Sequence, residues 1–133
     1  MSGPRRSASW LGAGLLAAAA AGVRAQAGAD CKPQGTPAEA NACALRDFQA
    51  ADTEIAVLYA DVMRALSAHE RPQLRREHTA WNQQRTVQCK QATRAVEQQP
   101  DGPRRYHECM TGKTRERRRG LMRWLSADSP AQE

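Results

Sequence analysis

Apolar residues recur in three- and four-residue steps along three segments of this chain, with polar residues filling the positions between them. In the first segment Ala44, Phe48, Ile55, Leu58, Tyr59, Val62 and Leu66 fall on one face of a helix over about 37 to 67. Its start is marked by Thr36-Pro37-Ala38-Glu39, where Thr36 can cap, Pro37 suits the first helical position and Glu39 completes a capping box. Pro72 ends any continuation and can open a second helix to about residue 97, with Leu74, Trp81, Cys89, Ala92 and Val96 as its stripe. Gln99-Pro100-Asp101-Gly102-Pro103 reads as a turn. A third helix follows from about 104 to 125, with Tyr106, Cys109, Met110, Leu121, Trp124 and Leu125 inward. The closing SADSPAQE, residues 126–133, is polar and reads as a frayed tail. With no strand alternation and no internal repeat, the pattern predicts an all-α fold of three long helices with antiparallel neighbours.

Two charges break the apolar faces. Trp81, Arg85 and Cys89 are spaced four apart, which stacks them on one face of the second helix. Asp52 sits among Phe48, Ile55 and Tyr59 on the inward face of the first. A buried charge persists only with a partner, because desolvation costs several kcal/mol per ion. The economical arrangement is a buried Asp52–Arg85 pair across the helix interface, with Trp81 beside the guanidinium. Such a pair adds little net stability but can fix helix register.

The N-terminus changes the compartment. Arg5 and Arg6 precede thirteen uncharged residues, Leu11 to Val23, and Ala25-Gln26-Ala27 follows as a cleavage site. That is the pattern of a secretory signal peptide over residues 1–27, and the apolar run is too short to span a bilayer. The exported protein, periplasmic or secreted, is then residues 28–133, with a helical domain over 28–125. Loss of Arg5, Arg6 and Arg24 leaves 17 basic against 14 acidic residues, net +3. One Phe, two Tyr and two Trp remain, a thin core for which small exported domains compensate with disulfides. The four cysteines, Cys31, Cys43, Cys89 and Cys109, allow three pairings, and none is spaced as C-x-x-C. The helix layout favours Cys31–Cys43, tying the N-terminal leader to the first helix, and Cys89–Cys109, bridging the Pro-Gly turn.

Candidate chemistry is sparse. His69, His78 and His107 have no serine or free cysteine nucleophile arranged around them, and no metal-hydrolase or cofactor motif occurs. His69 and His107 read as solvated, while His78 alone faces inward. The chain reads as a binding protein, not an enzyme. Charge is unevenly shared: the first helix carries two arginines against five acids, the third eight basic residues against two. The run TRERRRG could meet an anionic component of the cell envelope, polymer or lipid. No aromatic residues interleave with it, which argues against nucleic acid.

The run Cys31…Cys43-Ala44…Ala51-Asp52…Leu58-Tyr59, then Leu74…Ala80-Trp81…Arg85…Cys89, then Tyr106…Cys109…Thr114…Arg117…Leu121 resembles the LprI-like lysozyme-inhibitor family of small exported bacterial helical proteins. The likeness spans about residues 30–121. Ala56 stands where the family usually has Asn, His78 where Gln is common, and the glycine-rich loop before the last cysteine is reduced to Asp101-Gly102. The resemblance implies binding and inhibition of lysozyme. Two surfaces could serve: acidic Asp47, Glu54 and Asp61 on the first helix, or the loop from Pro100 to Arg105. In the loop, Asp101, Arg104 and Arg105 are the candidates, with an arginine entering the cleft between the two carboxylates that cleave glycosides.

Overall fold

The computed structural model describes residues 28–126 and 129–130; the expected signal peptide, residues 1–27, lies outside them. Three helices form, α1 (Pro37–Ala65), α2 (Glu70–Thr93) and α3 (Gly102–Arg123), with a short 3-10 turn at Arg94–Val96. No strand occurs among the described residues. Thr36 and Glu39 make the reciprocal capping box at the start of α1. Both expected disulfides are present, Cys31–Cys43 and Cys89–Cys109.

The helix ends differ from expectation for local reasons. Leu66 turns extended, with φ −78° and ψ 153°, so α1 stops at Ala65. The chain re-enters a helix through Ser67, whose backbone N–H and hydroxyl exchange hydrogen bonds with the Glu70 carboxylate and backbone N–H. That second capping box, not Pro72, opens α2. Pro103 lies in the first turn of α3, which therefore begins two residues earlier than its apolar pattern suggests. At the other end α3 stops at Arg123, so Leu125 falls out of the helical period and is 48% exposed instead of inward. Ala92 is likewise exposed, because α2 gives way to the tighter turn just beyond it. Ser129, in the expected frayed tail, is buried.

α3 packs most extensively against α1. The two run parallel: Asn41 meets Arg104 near their N-terminal ends, and Leu66 and Trp124 share a cluster at their C-terminal ends. α2 runs back alongside this pair, antiparallel to both, and packs chiefly on α3. The interior is layered along this axis. At one end Ile55, Val62, Leu66, Leu74, Leu121 and Trp124 form the apolar core. At the other, Cys43, Ala44, Cys89 and Met110 are buried beside the disulfides. Between them lies a polar layer centred on Arg85, Thr114 and Arg117, all buried.

Candidate functional site

The polar layer holds together around two guanidinium groups. Arg85 Nη1 donates to Asp52 Oδ1 and to Thr114 Oγ1, each at 2.7 Å, and Nη2 donates to Asn82 Oδ1 at 2.5 Å. One fork thus contacts all three helices, a geometry that suits a planar guanidinium and not an ammonium. The group also lies over two rings, 4.7 Å from the Trp81 centroid and 5.3 Å from Phe48. The burial is one-sided. Arg85 is 6% exposed, but the Asp52 side chain is 48% exposed, so the pair expected to be buried keeps its carboxylate half in water. Helix α1 places Asp52 at the rim of the interface, where a carboxylate avoids most of its desolvation cost.

Arg117 forms a second node. Its Nη1 donates to Glu77 Oε1 at 2.6 Å, and Trp124 Nε1 donates to Glu77 Oε2 at 2.7 Å. Glu77 was not singled out by the sequence pattern, although its place one turn before Trp81 could have shown it. Tyr59 stacks on His78 at 4.2 Å and His78 on Trp81 at 5.1 Å. His107, expected to be solvated, is half-buried against Phe48, with ring centroids 5.9 Å apart. Helix α3 turns its face toward α1 there.

His78 titrates abnormally. Burial first, then the neighbouring Arg117 and Arg85 guanidiniums, lower its pKa to about 4, against the opposing pull of Glu77 and Asp52. Because the folded state resists protonation that the unfolded chain accepts, stability is full above pH ~6.5 and falls as pH drops toward about 4. With the ring only half shielded, the expected loss is about 1–2 kcal/mol. Denaturant melts from pH 7 to 4 should show it, and His78→Gln should flatten the curve in that window. An equally steep curve for the variant would assign the acid sensitivity elsewhere.

The α2–α3 turn is the second candidate. Gly102 is required there, since a Cβ would lie 2.6 Å from the Val96 carbonyl oxygen. Asn41 clamps the turn from α1: its Nδ2 donates to the Pro100 carbonyl at 3.0 Å, and its Oδ1 accepts from the Arg104 N–H at 2.9 Å. The Cys89–Cys109 bridge fixes the two flanking helices. Asp101 accepts from Arg105 Nε at 3.0 Å and from Arg104 Nη2 at 3.2 Å. These bonds, Arg105's foremost, hold its carboxyl below the usual range. Arg104 also lies 3.6 Å from Glu108, and Arg105 remains 55% exposed. Beside the turn opens a groove of about 570 Å³, lined by Thr93, Arg94, Glu97, Pro103, Tyr106 and His107. The acidic surface of α1 is partly neutralised: Asp47 pairs with Arg46 and Asp61 with Arg64, leaving Glu54. Among the described residues no group of three or more His, Cys, Asp or Glu is placed to hold a metal ion.

No curated protein and no solved structure matched the chain. A family model described as lysozyme inhibitor LprI matches residues 29–121. That span takes in both disulfides, the polar layer and the clamped turn, and the chain therefore belongs to the LprI lysozyme-inhibitor family.

Proposed function

We propose that this protein is exported, is not an enzyme, and binds lysozyme through the clamped α2–α3 turn, blocking the substrate cleft. Family membership supports the target. Two disulfides suit an oxidising compartment. The observation that carries the choice of surface is the double brace on the turn, from the Asn41 side chain and the Cys89–Cys109 bridge. A segment already ordered loses less entropy on binding. Arg105 projects from it, held by Asp101 through an exposed ion pair. Exposed pairs of this kind are worth roughly 0–1 kcal/mol, so exchanging Asp101 for a cleft carboxylate is cheap. The adjacent groove offers room for a side chain from the cleft rim. Long-range attraction contributes little, since the expected exported chain is itself basic, at net +3.

The test is lysozyme turnover of oligosaccharide with the exported chain as inhibitor. Inhibition should be competitive. Arg104→Glu with Arg105→Glu should weaken it by at least about 100-fold, two desolvated charge contacts being lost. Neutralising Arg115, Arg118 and Arg119 should change it little. If the wild type at high micromolar concentration slows no lysozyme, the reading fails; if the loop variant inhibits normally, the surface lies elsewhere.

A further inference from the structure

The eight basic residues of α3 divide into two sets. Those with partners are Arg104 and Arg105 on Asp101, Lys113 within 3.9 Å of Glu116, and Arg117 on Glu77. Arg115, Arg118, Arg119 and Arg123 have no ion-pair partner among the described residues, and all four are exposed. Of the two acids of the helix, Glu108 lies in its first half near Arg104, and Glu116 lies in its second half near Lys113, at the edge of the arginine face. At about 100° per residue, Arg115, Arg119, Met122 and Arg123 fall within roughly 100° of arc. That arc lies opposite the buried Met110, Thr114, Arg117 and Leu121. Gly112 faces the same way with open space where a Cβ would sit. Met122, 45% exposed, lies within that arc, and Leu125, 48% exposed, follows in the turn just past the helix end.

Two ordinary explanations fall short. Attraction of arginines to a helix C-terminus fades within the last turn. That accounts for Arg123 but not for Arg115, Arg118 or Arg119. A merely solvated face mixes charges of both signs. Here, among the described residues, four unpaired arginines stand against one acid, Glu116, and two large apolar side chains, Met122 and Leu125, are exposed at the helix end. Arginines with interspersed apolar side chains are what a protein places against anionic headgroups, the charges on phosphate and the apolar groups at the acyl boundary. No described helix is long and apolar enough to cross a membrane.

We infer that the outer face of the second half of α3 docks on an anionic phospholipid surface. The protein lies on the bilayer through Arg115, Arg119 and Arg123, with Met122 and Leu125 in the interface. The turn at Asp101–Arg105 is at the opposite end of α3 and stays free, so this surface is independent of the lysozyme reading.

The test is sedimentation of the exported chain, residues 28–133, with vesicles of phosphatidylcholine alone or mixed with phosphatidylglycerol, at low and physiological salt. Binding should require phosphatidylglycerol and weaken as salt rises. Arg115→Gln, Arg119→Gln and Arg123→Gln together should weaken it by about 100-fold, at about 1 kcal/mol for each arginine near the anionic surface. Met122→Ser with Leu125→Ser should weaken it by about 10-fold. All five positions are exposed, so melting curves should stay near the wild type and exclude misfolding. Arg104→Gln with Arg105→Gln, more than a Debye length away along α3 at physiological salt, should weaken vesicle binding far less than the triple variant. Failure of the wild type to bind phosphatidylglycerol vesicles at physiological salt overturns the inference. So does full binding by the Met122/Leu125 variant together with equally tight binding of soluble polyphosphate, which would mark a site for a polyanion and not for lipid.

Discussion

Arg85→Ala should destabilise the protein by about 3 kcal/mol, mostly through packing and only in part through charge. The guanidinium is 6% exposed and fills the space between Trp81 and Phe48 while closing bonds to Asp52, Thr114 and Asn82. Its removal leaves a cavity and forfeits two cation–π contacts in a desolvated layer. Asp52 is different. Being half exposed, it can return to water, so Asp52→Asn should cost about 1 kcal/mol or less. Arg85→Lys should fall between, about 2 kcal/mol, because an ammonium is one compact centre and lacks both the two-nitrogen reach of the fork and the flat face that lies over Trp81 and Phe48. Chemical denaturation of the single variants and of the double variant would measure this. Coupling of about 1 kcal/mol is expected. Equal losses for Asp52→Asn and Arg85→Ala would mean that the carboxylate is the stabilising partner, contrary to the exposure seen here.

Removing the Cys89–Cys109 bridge should be as damaging. The partners are 20 residues apart, and closing a loop of that size stabilises by about 3 kcal/mol through the unfolded chain. For a domain of this length that corresponds to a fall in Tm on the order of 15 °C. Cys89→Ala with Cys109→Ala should also weaken lysozyme inhibition beyond what the unfolded fraction explains, since the turn loses one of its two braces. Cys31→Ala with Cys43→Ala is the comparison. That bridge spans 12 residues and ties only the segment before α1, so it should lower Tm and leave inhibition of the folded protein intact. Similar inhibition by both variants, corrected for folding, would remove the disulfide from the account of the turn. The loss in either case is read by thermal melts under non-reducing conditions.

Local chemistry determined much of this protein. An apolar period of three and four, a capping box at Thr36 and a proline-glycine turn at residues 99–103 are enough to specify three helices and their order. Each depends on neighbours within about one turn of chain. The cysteine pairing followed from the same layout, because each bridge joins positions the helix ends bring close. The period likewise places Asp52, Trp81 and Arg85 on inward faces. Even the start of α2 was legible, in Ser67 and Glu70, but the more conspicuous Pro72 masked it.

Tertiary structure alone decided which inward residues meet. The clamp by Asn41 joins positions 59 and 63 residues apart in the chain, and Glu77 reaches Arg117 and Trp124 across 40 and 47. Such contacts depend on the relative slide and rotation of whole helices, which no window of sequence contains. The parallel packing of α1 on α3, the half-solvated Asp52 and the depressed pKa of His78 come from the same source. A helix period says that a side chain points inward. Only the neighbouring helix, by its register, determines whether that side chain finds a ring, a carboxylate or water.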